Sequence, residues 1–199
     1  MKIIMTCNAR KLPNHIECPI DNVTYSIIDY LSELAYFFNM SPNDITTISI
    51  VFVFLAVYFV LHKKFIYFSI CFIIYYILDL LDGYHARKHN KCTKFGDYYD
   101  HIRDLIIFIS LSTIICFRSY KKKKWYIIII LFIFLLMSQL HMACQELHNE
   151  NNIDKNHSCY SDTMSLYKCP SKKWIIITRH FGMGTLIFAV IILSYLSMK

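Results

Sequence analysis

The sequence predicts an all-α, polytopic transmembrane helical bundle, with five to six spans and an N-terminal amphipathic helix at the membrane interface. Three observations predict it. Of 199 residues, 56% are hydrophobic and only 18% charged, against about a quarter charged in a soluble domain. The mean hydropathy is +0.39, and apolar runs of membrane-crossing length recur along the chain. Only 4 glycines and 4 prolines interrupt them, too few for a turn-rich β barrel. Helix is the form expected of such runs, because a lone strand in lipid leaves its backbone polar groups unsatisfied.

The elements follow in order. Residues 1–22 are polar and irregular and are expected outside the membrane; the opening MKIIMTCNARKLP lacks the apolar core of a signal peptide. Residues 23–39 place Ile27, Leu31, Leu34 and Phe38 at helical spacing, with Asp29, Ser32 and Glu33 elsewhere around the turn. That pattern suits a helix lying at the interface or packed on the end of the bundle. Five stronger apolar segments follow at 45–62, 65–81, 95–117, 125–144 and 174–196, each near the roughly 17–25 residues that cross a bilayer core. The polar stretch 145–173 is too long for a tight turn and is expected to form a surface loop or cap. The chain thus divides into a polar segment with its interfacial helix (1–40) and a transmembrane bundle (41–199), without internal repeats.

Charge and cysteine usage narrow the function classes. The formal charge of +7 is concentrated beside apolar runs, at Lys63-Lys64 and Lys121 to Lys124. Such clusters mark membrane-flanking loops and argue against a nucleic-acid partner. The eight cysteines form no CxxC pair, which argues against a zinc ribbon. His141, Cys144 and His148 have the spacing of a metal face but lack a fourth ligand, so packing is expected of them. Arg179 stands about four residues inside the last apolar run, where a snorkelling arginine is expected in preference to a phosphate ligand.

The informative stretch runs from Asp79 to Asp104, DLLDGYHARKHNKCTKFGDYYDHIRD. Asp79 and Asp82 are three apart at the end of the second strong segment, and Asp100 and Asp104 are four apart at the start of the third. Each pair projects from one helix face. A short basic connection lets the two helices run antiparallel, so the four carboxylates are expected to converge near the membrane surface. Unpaired, they would repel; divalent cations relieve that repulsion and attract phosphate oxygens. Oxygen-only ligation favours Mg²⁺, Mn²⁺ or Ca²⁺ over zinc. Arg87, Lys88, Lys91, Lys94 and Arg103 surround the cluster and suit a phosphorylated substrate. Gly83 and Gly96 would admit phosphate or nucleotide close to the backbone. The alternative is that each aspartate caps a helix end or pairs with a neighbouring cation.

The stretch resembles the signature of the CDP-alcohol phosphotransferase family, D-x2-D-G-x2-A-R-x8-G-x3-D-x3-D. Asp79, Asp82, Gly83, Ala86, Arg87, Gly96, Asp100 and Asp104 match every fixed position. Pro42, Asn43, Ile45 and Thr46 also reproduce the family's P-N-x-[IL]-T opening of the preceding helix. The resemblance implies metal ligation by Asp79, Asp82 and Asp100, with Asp104 as metal neighbour or general base. It implies two Mg²⁺ or Mn²⁺ ions, and a CDP site lined by Gly83, Ala86, Arg87 and Gly96, with Asn43 and Thr46 as further candidates. The alternative for Asn43 and Thr46 is a helix N-cap.

The resemblance further implies a CDP-alcohol or CDP-diacylglycerol donor, a lipid or small-alcohol acceptor, release of CMP, an endoplasmic-reticulum-like membrane in a eukaryote, and a homodimer. Thr93 and the run Tyr99-Asp100-His101 make the motif look most like the choline and ethanolamine phosphotransferase branch, where His101 could deprotonate the acceptor. The chain is about half the length of that branch's members. Two other functions stay open, a headgroup-binding protein without turnover and a small cation transporter; CMP release and cation flux separate them. Alternating the spans puts the motif, the sequons at Asn22 and Asn156, and Cys7, Cys18, Cys159 and Cys169 on one side. Lys63, Lys64, Arg118 and Lys121 to Lys124 fall on the other, which the positive-inside tendency makes cytosolic.

Overall fold

A computed structural model describes residues 9–10, 12–149 and 168–199. Among the described residues the chain is helical, without strands. Its helices are α1 (Pro19–Phe37), α2 (Pro42–Leu61), α3 (Phe65–Lys88), α4 (Lys94–Lys121), α5 (Trp125–Asn149), the single-turn α6 (Ile175–Thr178) and α7 (Met183–Met198). Most of the segment predicted at 145–173 falls outside the described residues, as do residues 1–8, Cys159 and the Asn156 sequon.

Local chemistry sets the helix boundaries. At the start of α2 the Ser41 hydroxyl accepts from the Asp44 N–H at 3.2 Å, and the Asp44 carboxylate accepts from the Ser41 N–H at 2.8 Å. Pro42 fills the first helical turn, where its missing N–H costs nothing. Ser41, rather than Asn43 or Thr46, is therefore the N-cap. Helices α1 to α4 all end in the same way, with one left-handed residue: Asn39, Lys63, Asn90 and Lys123, at φ 54–57°. The next N–H then closes back by about one turn, as Lys91 does on the Ala86 carbonyl at 2.8 Å and Lys124 on Ser119 at 2.8 Å. These tight reversals make α1 to α5 alternate in direction.

The core lies between α2, α3, α4, α5 and α7. Val53, Phe72, Ile107, Leu111, Leu131 and Ile187 are among its buried members. Phe54, Ile70, Ile109, Phe132 and Ile192 point outward, the apolar exterior expected where the solvent is lipid. Among the described residues, four segments are long and apolar enough to cross a membrane: Pro42–Leu61, Phe65–Lys88, Trp125–His148 and Lys172–Met198. Helix α4 has spanning length, about 42 Å, but it carries charges in its first half. The final apolar run is not one continuous helix. It breaks at a 3₁₀ turn, Arg179–Phe181, and at extended Gly182, ψ 179°. A Cβ at Gly182 would stand 2.6 Å from the Cys18 Cβ, so close approach of the N-terminal segment demands glycine there.

Helix α1 begins four residues earlier than its apolar spacing indicated, and it turns an unexpected face inward. Ile27, Leu34 and Phe38 are exposed, whereas Asp21, Tyr25, Ile28, Ser32 and Ala35 are buried. Polar partners on α3 and α7 explain the inversion. Tyr76 donates to Asp21 at 2.5 Å, and Tyr84 donates to Asp29 at 2.8 Å. Lys88 pairs with Asp29 at 2.6 Å and Glu33 at 2.5 Å; its hydrogen bond holds the Asp29 carboxyl below the usual carboxylate range. Asp21 also accepts the Gly184 N–H at 3.0 Å, supplying the cap that Gly182 has no side chain to provide.

Cys144 forms a disulfide with Cys169, and buried His141 meets Thr178 and Gln145 at 3.3 and 2.9 Å, in keeping with the packing expected of these residues. Two other expectations are corrected. Cys18 is a buried free thiol. Asn22 lies within α1 with its amide donating to the Asn14 carbonyl at 2.6 Å, which disfavours it as a glycan acceptor. Arg179 donates to the His15 carbonyl of the N-terminal segment.

A Cβ at Gly184 would lie 2.6 Å from the Asp21 carboxylate and 2.7 Å from both Ile20 Cγ2 and the Tyr76 hydroxyl. Gly184→Ala is therefore expected to destabilise the protein by about 1–3 kcal/mol, seen as a lower melting temperature in detergent. A wild-type melting curve would show that α1 and α7 are not held in this contact.

Candidate active site

Helix periodicity brings Asp79 and Asp82 to the face of α3 that meets α4, and Asp100 and Asp104 to the answering face of α4. What draws the four together is Arg103. Its side chain is buried, with the residue 2% exposed. Nη2 donates to Asp79, to Asp100, and to Asp104 at 2.8 Å; Nη1 donates to Asp82 at 2.9 Å. Nη1 also reaches the Ser49 hydroxyl at 3.0 Å, and Nε reaches Asp104 at 3.1 Å. The guanidinium lies over the Tyr75 ring, 5.3 Å from its centroid. Sequence reasoning counted Arg103 among cations for substrate phosphate; it is instead committed to the carboxylates.

The carboxylates differ in their partners. Asp82 is the most enclosed, accepting from Thr46 at 2.7 Å as well as from Arg103. Asp104 accepts from the Tyr75 hydroxyl at 2.8 Å. Oxygen atoms of Asp79, Asp100 and Asp104 lie within 4.8 Å of one another, a spacing that suits one hard divalent cation. One guanidinium leaves the charge of four carboxylates uncompensated, so the donor set fits an added cation. Asp82 stands outside that trio.

The residues matched to a CDP site are arranged less openly than expected. Arg87 lies against Gly83, where a Cβ would meet its Nη1 at 3.2 Å, and its Nε donates to the Ala9 carbonyl at 2.8 Å. Over Gly96 lie the Asn43 amide oxygen and the Thr93 hydroxyl, 2.8 and 3.0 Å from where a Cβ would sit. Thr93 caps α4 through the Gly96 N–H at 3.0 Å. The small residues thus make room for neighbouring polar side chains beside the carboxylates. Ala86 is half-buried, and its carbonyl closes the end of α3. His101 turns back along α4, with Nδ1 2.8 Å from the Asp97 carbonyl. Lys88 is tied to α1, and Lys91 donates to the Met40 carbonyl at 3.3 Å.

Ser49 and Tyr75 are the members that sequence reasoning missed. Their signal was faint but present: Ser49 is three residues beyond Thr46, and Tyr75 four before Asp79, each on the same helix face.

A family model described as CDP-alcohol phosphatidyltransferase matches residues 39–196, which takes in α2 to α7 and all four aspartates. No curated protein and no solved structure matches the chain.

Removing one partner from a buried ion pair leaves uncompensated charge, a loss of about 3–5 kcal/mol. Arg103→Met is therefore expected to lower the melting temperature sharply in EDTA. Millimolar Mn²⁺ is expected to restore more stability to the variant than it adds to the wild type. Equal melting temperatures for the two proteins in EDTA would refute the central placement of Arg103.

Proposed function

The chain belongs to the CDP-alcohol phosphatidyltransferase family, and from that premise we propose a specific reaction for this integral membrane protein. It transfers a phospho-alcohol or phosphatidyl group from a CDP-linked donor to an acceptor hydroxyl, with release of CMP. The convergence of Asp79, Asp82, Asp100 and Asp104 around one buried point carries the reading. A headgroup-binding protein without turnover would have no need of the full quartet. A cation path would need charges strung along a span, whereas these gather at one end of the bundle.

Asp79, Asp100 and Asp104 are the residues that would hold Mg²⁺ or Mn²⁺, which when bound supplies positive charge to the oxygens of the diphosphate. Recruiting Asp82 to a second ion requires it to exchange its Arg103 contact for that ion. Thr46 orients Asp82 by donating to it, and Tyr75 does the same for Asp104. Asn43, beside Gly96, and Arg87, over Gly83, are placed to meet nucleotide or phosphate oxygens. Arg87 must release the Ala9 carbonyl to do so.

The acceptor hydroxyl must lose a proton as it attacks phosphorus. Asp104 is the first candidate for general base, lying among the reacting groups. His101 is the second. Hydrogen bonding to the Asp97 carbonyl places the proton on Nδ1 and leaves Nε2 of a neutral imidazole with the lone pair. The Asp100-His101 pair, with Ala86-Arg87 and Thr93, favours CDP-choline or CDP-ethanolamine as donor and diacylglycerol as acceptor.

Sidedness rests on two observations. The Cys144–Cys169 disulfide lies at the motif end, whereas Lys63, Lys64 and Lys121 to Lys124 lie at the other. Both favour a motif end on the oxidising, non-cytosolic side, with α4 as a fifth span. In sealed microsomes, a bulky maleimide is expected to label Cys169 only after reduction and permeabilisation; labelling without permeabilisation would reverse the orientation.

Purified protein with Mn²⁺ and a panel of CDP-alcohols and CDP-diacylglycerol is expected to release CMP from at least one donor. Asp82→Asn and Asp100→Asn are expected to lower that rate by at least about a hundredfold while still inserting and folding. Wild-type turnover in either variant would defeat the assignment.

A further inference from the structure

The end of the bundle opposite the aspartates holds a half-open cavity of about 470 Å³ between the last turns of α2, α4 and α7. Leu61 and Phe117 give it apolar walls, and Lys63, Arg118, Lys121 and Lys122 line it as well. Among the described residues no acidic side chain balances these cations. Stretches 45–78, 105–145 and 163–199, which contain every helix segment at this end, carry neither Asp nor Glu.

Backbone carbonyls at the helix C-termini satisfy part of this charge. Arg118 Nη2 donates to the Val60 and Leu61 carbonyls at 2.6 and 3.1 Å, and Lys122 donates to the Met198 carbonyl at 2.6 Å. Lys121 lies over the Phe117 ring, 4.3 Å from its centroid, and among the described residues no anionic group meets the rest. Arg118 Nη1 is buried without a hydrogen-bond acceptor, an arrangement that costs free energy until an acceptor arrives. Desolvation first, and then repulsion from Lys124, Lys63 and Arg118, push the Lys122 ammonium below its usual range. An anion entering the cavity would relieve both.

We infer that this cavity is a binding site for an anionic membrane lipid. The lipid phosphate sits among Arg118 Nη1 and the ammonium groups of Lys63, Lys121 and Lys122, with an acyl chain against Leu61 and Phe117. A lipid is favoured over a soluble anion by the apolar walls that adjoin the cations. Exposed Trp125 and Tyr126 flank this end, as aromatic residues do at headgroup level. The site lies about 27 Å along α4 from Asp100, and it stands whether or not the proposed transfer occurs.

The test uses the full chain in nanodiscs of phosphatidylcholine alone or with phosphatidylglycerol, read by thermal unfolding and by native mass spectrometry of retained lipid. The wild type is expected to be more stable with phosphatidylglycerol and to retain it selectively. The triple variant Lys63→Ala, Lys121→Ala, Lys122→Ala is expected to keep its fold and its CMP release, and to lose that preference roughly tenfold or more. Arg118→Lys, which keeps the charge but not the fork, is expected to lose part of it. Equal stability in the two lipid mixtures would overturn the proposal, as would an undiminished preference in the triple variant. Stabilisation by inorganic phosphate to the same extent would overturn the choice of a lipid.

Discussion

One guanidinium held among four carboxylates is the constraint on which this structure depends. Like charges on α3 and α4 cannot approach in a poorly solvated setting without a cation between them, and Arg103 supplies it from within the chain. Its contacts fix more than charge. By reaching Asp82 from one nitrogen and Asp79, Asp100 and Asp104 from the other, the planar fork sets the register of α4 against α3. Ser49 and Thr46 extend the same network to α2, so three helices are aligned by polar contacts at one end and by apolar packing along the rest.

The network also shapes the chemistry open to the site. Arg103 keeps the carboxylates assembled while leaving them short of positive charge, the condition under which a divalent cation and then a diphosphate are drawn in. An added cation would address the same oxygens as the guanidinium, so on the proposed reading Arg103 would set how strongly such an ion is held. The surrounding polar side chains, Asn43, Arg87 and Thr93, are already packed against the two glycines. On the proposed reading, nucleotide binding would exchange such intramolecular contacts for contacts to substrate.

The bundle has two chemically unlike ends. At the motif end, buried acids and tyrosines join α1 to α3 and α7, and a disulfide ties the end of α5 to the chain before α6. At the other end, cations cap helix C-termini and, among the described residues, no acidic residue answers them. In a bilayer, where apolar packing between helices gives little direction, this polarity orients the protein and separates its acidic site from its basic cavity.

The sequence by itself determined the helical class, the sites of most of the reversals and the grouping of the four aspartates. These depend on local periodicity and on spacing of three or four residues, which fix a helix face without knowledge of its neighbours. The family signature was legible for the same reason. Only the tertiary structure decided which cation answers which anion. Arg87, Lys88, Lys91 and Arg103 are alike as letters, yet one joins the aspartates and the others bind the N-terminal segment, α1 and the loop before α2. It decided too that α1 buries Asp21, Tyr25, Ile28, Ser32 and Ala35 in place of its apolar stripe, that the last apolar run breaks at Gly182, and that Cys144 pairs with Cys169. Each of these depends on contact between residues distant in the chain, and burial strengthens such contacts enough to override the local pattern.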